Sequence, residues 1–426
     1  MNLPRSLGLW LLLTCAFALP ALAQPSVGAS GRVLGRSGGS SAADDALRRI
    51  VELQDGHTDR RDEARILELL RGLGAADFDA VVARLDLEDL FDDFDDRLIG
   101  PDHKSALYRL LSKERVADLS ITSRARLIDA LQEGDTERAD ERAAVDVFLA
   151  TRGAPLRELK RAVDLGGDRR DLVQLVHGDI DSSARRRELQ RHIAAHSGQT
   201  SQVKVLSDID DTAYASLNDA RYPRFTVYPG VRAFLSELDR GPDARPDALG
   251  DVGFLSARPD LIEDATHLQL ELMGFAEGPL LEGSLEGVAS HEAMADEKLA
   301  QFRRYRALYP EYGFVFVGDS GQGDAVFARA ALGEGLDLAL IHDVKGLDAR
   351  SRAALAGAGV YVFDTYLGAA ARAYERQRIS RAGLVRVASA ALRELRQIDF
   401  ASDAQRDARW AELRADWSRA AQLLIR

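Results

Sequence analysis

The sequence predicts an α/β protein: a Rossmann-like domain with a parallel sheet, preceded by an α-helical repeat domain and followed by C-terminal helices. Between residues 199 and 365, short apolar runs alternate with helical segments, which is the pattern of strand–helix–strand units. Residues 43–198 show helical periodicity and contain an internal repeat. Residues 366–426 return to helical periodicity. These observations divide the chain into three folded parts.

The N-terminal residues have the pattern of a secretory signal peptide. Arg5 precedes a short apolar core, and Ala21-Leu22-Ala23 supplies a cleavage site. We therefore expect residues 1–23 to be removed near Ala23 and the protein to be exported, to a periplasmic or extracellular location. A retained anchor is the alternative, although its apolar core is short for a bilayer, and the processed chain is expected to have no stable transmembrane span. Residues 24–42, rich in Gly and Ser, are expected to be a flexible linker.

The composition restricts the classes of function. A chain of 426 residues with 46% hydrophobic content can build two or three domains with cores. The formal net charge of −12 is a poor match to nucleic acid, so we expect no nucleic-acid partner. The one cysteine, Cys15, falls within the signal peptide, so the mature chain is expected to have no disulfide, thiolate metal site or cysteine nucleophile.

The helical part carries a duplication. Leu53–Thr58 (LQDGHT) returns as Leu131–Thr136 (LQEGDT). The matched positions that follow are Phe78, Val81, Leu85 and Asp86 in the first copy and Leu156, Leu159, Val163 and Asp164 in the second. Turn residues and apolar positions are what a duplicated helical unit retains. We expect two tandem units of three or four helices, which could be a scaffold or a surface for a partner that the sequence does not name.

Two stretches of the helical part contain residue types that bind metals in other proteins. The run from Asp86 to Asp96 is rich in carboxylates, but its apolar residues fall at helical spacing and it lacks the glycine of a calcium loop. We predict an amphipathic helix there. His192 and His196 are one helical turn apart but have no third ligand nearby, so we interpret them as surface or packing histidines.

Five apolar runs predict the strands of the sheet. They are Val203–Leu206, Val252–Leu255, Phe314–Val317, Leu338–Ile341 and Val360–Phe363. Helices are expected to begin near Val231, Asp260, Ala295 and Asp324. The carboxyl ends of parallel strands share one edge of a sheet, and ligands bind there. Polar residues that follow these runs are therefore candidates for one site.

The first run leads directly into Asp208-Ile209-Asp210-Asp211-Thr212. Asp208 and Asp210 are two residues apart, so they project to the same side at the end of a strand. One carboxylate can act as a nucleophile and ligate a cation while the other handles a proton. Thr212 adds a hydroxyl close by.

Later residues can complete this site. Ser256 follows the second run and can hydrogen-bond a phosphoryl oxygen, and Lys298 can hold a phosphate and neutralise the nucleophile. The run Phe314–Val317 leads into Gly318-Asp319-Ser320-Gly321-Gln322-Gly323-Asp324, where glycines allow close backbone approach. Asp319 and Asp324 suit the oxygen shell of a hard cation such as Mg²⁺.

Taken in order, these motifs resemble the four-motif set of the haloacid-dehalogenase (HAD) superfamily of phosphohydrolases, over about Val203–Phe363. More narrowly, SDIDDT, then YPGV opening a helix, then FVFVGDSGQGD resemble the catalytic domain of actin-patch type phosphatidate phosphatases and their bacterial relatives. Where that family usually has S-N-S-P after the second strand, this chain has Ser256-Ala257-Arg258-Pro259, and its segment from Thr212 to Tyr228 is short.

The resemblance implies a role for each residue. Asp208 would attack phosphorus to form an aspartyl-phosphate, and Asp210 would act as general acid and then general base. Substrate would be held by Thr212, Ser256 and Lys298. Mg²⁺ would be bound by Asp208, the backbone carbonyl of Asp210, and Asp319, with Asp324 acting through water.

The sequence leaves the substrate open. A phosphatidate-like lipid phosphate is the first expectation, and a soluble phosphomonoester such as a nucleotide or sugar phosphate is the alternative. A helical binding protein with a vestigial HAD domain is the alternative without catalysis. No large insertion interrupts the sheet domain, so we expect an open site, for which the helical repeats could serve as a lid.

Overall fold

A computed structural model describes eleven segments of the chain. They are residues 41–56, 58–94, 101–134, 136–165, 171–216, 218–243, 250–259, 263–275, 278–283, 290–321 and 323–425. The predicted signal peptide and most of the predicted linker lie outside the described residues. Among the helices of these segments, none has the length and apolar character that crossing a membrane requires.

The predicted α/β fold class is confirmed by a parallel sheet of six strands in the order β3-β2-β1-β4-β5-β6. The strands are β1 Val203–Ser207, β2 Val252–Pro259, β3 Leu280–Gly283, β4 Gly313–Asp319, β5 Leu338–His342 and β6 Val360–Phe363. This is the Rossmann strand order, in which the direction of winding reverses between β1 and β4. Each of the five predicted runs lies within a strand, and β3 is an additional strand that the sequence analysis missed.

Helices precede, connect and follow the strands. Before β1 lie α1 Ser41–Gln54, α2 Arg60–Gly72, α3 Ala75–Val82, α4 Leu87–Asp92, α5 His103–Arg109, α6 Ile121–Ala130, α7 Arg138–Leu149, α8 Ala154–Asp164, α9 Leu172–Gln174 and α10 Ser183–His196. Between strands lie α11 Val231–Arg240, α12 Glu263–Leu272, α13 His291–Leu308, α14 Asp324–Leu332 and α15 Ala349–Gly357. After β6 follow α16 Tyr366–Glu375, α17 Arg381–Leu395 and α18 Asp403–Ile425.

The two helical units have matching details. Asp59 and Asp62 form a capping box at the start of α2, and Glu137 and Asp140 form one at the matched start of α7. The next residue is a buried glutamate in both copies; Glu63 accepts a hydrogen bond from His103, and Glu141 accepts one from the backbone of Ser182. These caps and buried acids occur at matched positions of the two segments, and their origin by duplication stays a prediction.

The acidic run and the histidine pair are ordinary structure where they are described. Helix α4 buries Leu87, Leu90 and Phe91 and exposes acids, as an amphipathic helix does; the end of the run, from Asp95, lies outside the described residues. The His192 and His196 rings contact each other at 4.6 Å, and His192 Nε2 lies 2.8 Å from the carbonyl oxygen of Thr151. His192 is therefore a packing residue at the end of the helical domain.

The sheet has a hydrophobic core on each face. Alternate residues of β1 separate the two faces: Leu206 packs with the helical domain, α13 and α14, whereas Val203 and Val205 pack with α11 and the C-terminal helices. Leu206 belongs to one continuous cluster with the apolar residues of the helical units. The protein is thus layered, with the helical units added to one side of the sheet.

Buried charges join the helical domain to the amino end of the sheet. Lys160 Nζ donates to Glu311 Oε1 at 2.7 Å and to the carbonyl of Leu308 at 2.8 Å. Lys204 Nζ in β1 lies 2.9 Å from Asp251 Oδ1 and 3.6 Å from Asp164 Oδ2.

We call the five charged residues of this joint the junction cluster: Lys160, Asp164, Lys204, Asp251 and Glu311. Tyr309 and Tyr305 also donate to Asp164 Oδ2, at 2.5 and 3.1 Å. Since these contacts lie at the amino end of β1, they give no support to the expectation that the helical repeats form a lid over its carboxyl end.

Candidate active site

Four of the predicted site residues, Asp208, Lys298, Asp319 and Asp324, come together where the sheet changes its winding direction. Asp208 follows β1, Asp319 ends β4, and Ser207 of β1 pairs with Val317 of β4. Asp208 is tied to the neighbouring strand by its own N–H, which donates to the Val317 carbonyl at 2.8 Å. The carboxyl edge at such a reversal forms a crevice, and this is where ligands bind in open α/β sheets.

Lys298 joins the two ends of the predicted constellation. Its Nζ donates to Asp208 Oδ1 at 2.6 Å and to Asp324 Oδ1 at 2.5 Å, and all three side chains are buried. Burial alone would lower the pKa of Lys298, but Asp208 and Asp324 raise it above the ordinary value. The lysine is therefore a fixed ammonium that contacts the predicted nucleophile.

The glycine-rich loop after β4 sets the position of two carboxylates. Asp319 Oδ1 accepts the Gly321 N–H at 2.5 Å, and Asp324 Oδ2 accepts the Asp319 N–H at 3.1 Å. A side chain at Gly318 would come within 2.3 Å of Asp324 Oδ2, so the close approach of backbone and carboxylate requires glycine there. Asp324 has both oxygens bonded, whereas Asp319 keeps one for another partner.

Asp208, Asp319 and Asp324 form a cluster that could bind a cation. Each offers one oxygen, and these oxygens lie within 4.8 Å of one another. We call these three residues with Lys298 the aspartate cluster. Burial, followed by the Asp324 charge, raises the pKa of Asp208 to about 7, and burial with the Asp324 and Asp208 charges raises the pKa of Asp319 well above its usual range.

The aspartate cluster fits a hard cation because two buried oxygens have no partner. Asp208 Oδ2 and Asp319 Oδ2 are both buried without a hydrogen bond. A buried unpaired carboxylate oxygen is costly, and a hard divalent cation with oxygen ligands would satisfy both. One lysine also leaves the three carboxylates short of positive charge. The predicted metal ligands Asp208 and Asp319 therefore each keep one oxygen without a partner, and Asp324 lies beside them.

Asp210 lies outside the group of three carboxylates. Its side chain is half-buried, and its Oδ1 accepts a hydrogen bond from the Tyr214 hydroxyl at 3.2 Å. A carboxylate that is partly open to solvent, two residues beyond the predicted nucleophile, can exchange protons with a ligand and with water. The Asp210 side chain thus lies outside the group of three carboxylates, and its roles in proton transfer and, through its carbonyl, in cation binding stay predictions.

Thr212, in the turn after β1, and Ser256, within β2 rather than at its end, are both buried. The Thr212 hydroxyl has no hydrogen-bond partner, although its backbone carbonyl accepts the Tyr366 hydroxyl at 2.5 Å. Ser256 lies within β2, the strand next to β1. The substrate contacts of Thr212 and Ser256 stay predictions.

Sequence reasoning missed the residues that support the turn after Asp210. Asp211 has a φ of 59°, and its buried carboxylate accepts the N–H groups of Ser216 and Asn218 at 2.8 and 2.6 Å. The Asp211 carbonyl also faces His342 Nδ1 at 3.3 Å. A third aspartate in the SDIDDT stretch was the available signal, but its role depends on a loop whose geometry the sequence does not show.

No family model, no curated protein and no solved structure matches this chain.

Proposed function

We propose that this protein is a Mg²⁺-dependent phosphohydrolase of the HAD type that acts through an aspartyl-phosphate on Asp208. The observation that carries the proposal is the aspartate cluster at the winding reversal of the sheet, with two buried oxygens unpaired. Asp208, Lys298 and the Asp319–Asp324 loop come from three distant parts of the chain, so their contacts are not a consequence of local sequence. A vestigial site would have no need to retain the repulsion among buried carboxylates.

Asp208 and Asp319 would hold the cation, with Asp324 and the Asp210 carbonyl nearby. When bound, Mg²⁺ supplies positive charge that offsets the approach of a carboxylate to an anionic phosphate. The chain itself supplies a cation at the nucleophile, Lys298, whose contact with Asp208 Oδ1 would offset the negative charge of that carboxylate. The unpaired Asp208 Oδ2 is the oxygen we assign to the cation, which leaves Oδ1 for the attack on phosphorus.

The reaction divides into two displacements at phosphorus. In the first, an Asp208 oxygen forms a bond to phosphorus while the bond to the ester oxygen breaks, and the ester oxygen takes a proton from the Asp210 carboxyl. In the second, water attacks phosphorus and gives a proton to the Asp210 carboxylate, and the bond to Asp208 breaks. The products are the free alcohol and inorganic phosphate, and both aspartates are restored.

A phosphatidate-like lipid phosphate is the substrate we propose first. The proposal rests on the resemblance of SDIDDT, YPGV and FVFVGDSGQGD to phosphatidate phosphatases, and on a sheet domain without a large insertion. An open site can accept an ester presented at a surface. Export of the protein, by the N-terminal segment that lies outside the described residues, belongs to the same proposal.

Phosphate release from a mixed panel tests the function. The panel contains phosphatidate in micelles, nucleotides, sugar phosphates and a phosphopeptide, each with Mg²⁺ and with chelator. We expect Mg²⁺-dependent release from micellar phosphatidate, lost in Asp208→Asn and retained in Asp407→Asn, which removes an exposed carboxylate of α18. Release confined to small soluble esters would keep the chemistry and change the substrate. No release from any ester would contradict the proposal.

A further inference from the structure

Lys345 is a positively charged residue at the edge of the candidate site that has no role in the reaction proposed above. Lys345 follows β5 at the carboxyl edge of the sheet and is exposed. Its backbone N–H donates to Ser320 Oγ and to Asp343 Oδ1, both at 3.2 Å. Ser320 directly follows the metal-ligand candidate Asp319, so this loop is fixed beside the aspartate cluster.

The ammonium of Lys345 is oriented by a neutral group. Its Nζ donates to Asn218 Oδ1 at 2.8 Å, and no ion pair to Lys345 occurs among the described side chains. Asn218 in turn is held by the Asp211 carboxylate, which accepts the Asn218 N–H at 2.6 Å. An amide acceptor fixes the direction of the lysine without neutralising its charge.

Asn218 brings this cation close to the reacting groups. A side chain at Gly321 would come within 3.1 Å of Asn218 Cβ and within 2.8 Å of Asp319 Oδ1, so only a glycine separates the amide from the aspartate cluster. Lys345 is therefore linked through Asn218 and Ser320 to the loop that carries Asp319. Asp343, the carboxylate nearest in sequence, is paired with Arg352 at 2.5 Å.

The candidate site has an excess of negative charge, which the Lys345 ammonium can offset. Lys298 contacts both Asp208 and Asp324, so its charge is already engaged. A dianionic phosphate that approaches Asp208, Asp210, Asp319 and Asp324 meets a surplus of negative charge, which a cation on the approach route would offset. Asn218 holds Lys345 in that place.

We propose that Lys345, oriented by Asn218, binds the non-bridging phosphoryl oxygens of the incoming substrate and determines its affinity. This inference rests on the proposed phosphohydrolase function and adds a substrate-binding residue outside the four motifs. Lys345 acts on the approach and binding of the anion, while bond breaking depends on Asp208 and Asp210. Its loss should therefore change KM and leave kcat nearly constant.

Kinetics of Lys345→Met with p-nitrophenyl phosphate and with micellar phosphatidate test the role. We expect KM to rise about tenfold for both esters, as for loss of one charge-assisted contact, with kcat within about twofold of wild type. Lys345→Arg should stay near wild type. Arg414→Met, which removes an exposed positive charge on α18, is the matched control and should leave KM unchanged.

Two further measurements test whether the charge of Lys345 and its contact with Asn218 cause the change in KM. The KM of wild type should rise with ionic strength more steeply than the KM of Lys345→Met, because the variant lacks the screened charge. Asn218→Ala should raise KM less than Lys345→Met, and the double variant should resemble Lys345→Met alone, since both changes act on one contact. An additive double variant, or a KM shift equal to that of Arg414→Met, would overturn the inference.

Binding of inorganic phosphate separates this inference from the proposed function. In the presence of Mg²⁺, phosphate should raise the Tm of wild type and of Arg414→Met more than that of Lys345→Met. If wild type hydrolyses no ester but still shows this difference, the binding role stands and the proposed function fails. Equal stabilisation of all three proteins, or none, would overturn the binding role whatever the activity.

Discussion

The two ends of strand β1 both bury charge, but they balance it differently. At the amino end, the junction cluster sets two lysines against three carboxylates, and two tyrosine hydroxyls donate to Asp164. At the carboxyl end, the aspartate cluster sets one lysine against three carboxylates and leaves Asp208 Oδ2 and Asp319 Oδ2 unpaired. Buried charge alone is thus no sign of a site. Lys204 Nζ and both Asp251 oxygens in the junction cluster also lack a hydrogen bond, so it is the deficit of positive charge, one lysine for three carboxylates, that distinguishes the carboxyl end.

The largest expected effect concerns the carboxyl end. Asp208→Asn should lower turnover by at least about 10⁴-fold, because no other group can form the covalent intermediate. Its free energy of unfolding without metal should stay the same or rise, since one of three mutually repelling carboxylates is removed. Phosphate release and urea denaturation measure the two quantities. A large loss of stability would mean that the aspartate cluster is structural, as the junction cluster is.

The opposite result is expected at the amino end. Lys160→Met leaves Glu311 buried without its cation and should lower the free energy of unfolding by about 3–5 kcal/mol. Lys160→Met combined with Glu311→Met should recover most of that loss, because the two buried charges disappear together. Urea denaturation of both variants, with kcat of the soluble fraction, tests this. A double variant as unstable as the single one would show that the pair itself stabilises the junction.

At the carboxyl end of the sheet, His342 should contribute a loss of stability in acid. Burial, with the nearby Arg221 charge, lowers the pKa of His342 to about 4, while the unfolded chain has the ordinary value of 6.5. Between these values the unfolded state binds more protons, so the stability that His342 contributes is present above pH 6.5 and is lost as the pH falls towards 4. The loss should be about 3 kcal/mol.

Urea denaturation across this pH range, for wild type and His342→Gln, measures the His342 contribution. The comparison with the variant removes the contributions of other titrating groups, which both proteins share. Among these groups are Asp239 and Asp416: burial raises the pKa of each to about 6, so their protonation in acid favours the folded state, opposite to that of His342. Wild type should lose more stability than the variant between pH 6.5 and 4. Parallel curves for the two proteins would contradict the assigned protonation of His342.

The smallest expected effect concerns a hydroxyl. Thr212 Oγ1 is buried without a partner, so Thr212→Val should leave the free energy of unfolding unchanged or raise it by about 1 kcal/mol. If Thr212 contacts substrate, KM should rise at the same time. Thermal denaturation and steady-state kinetics of the same preparation test the pair of expectations. A clear loss of stability would show that the hydroxyl has a structural partner instead.

Much of this arrangement could be predicted from the sequence because it depends on strand ends. Apolar runs ending in Asp208, Ser256 and Asp319 were enough to place those residues at one edge, since parallel strands share that edge. Strand β3 was missed because Leu280–Gly283 is short and has no β-branched residue. Its absence from the prediction did not affect the site, which lies between β1 and β4.

The junction cluster could not be predicted. Lys160, Lys204 and Glu311 are far apart in sequence, and each resembles an ordinary surface charge until the helical domain is placed against the sheet. Asn218 and Lys345 escaped notice for the same reason, because their contact depends on two loops meeting over Gly321. Long-range pairing of single polar residues leaves no periodic signal in the chain.

The continuous core that joins the helical units to Leu206 has a consequence for cooperativity. Apolar residues of both repeats belong to the same packed cluster as one face of the sheet, so loss of either part exposes the other to water. The helical units therefore set the fraction of molecules in which the aspartate cluster is intact, although they lie at the other end of β1. A substitution in a repeat can lower activity by mass action alone.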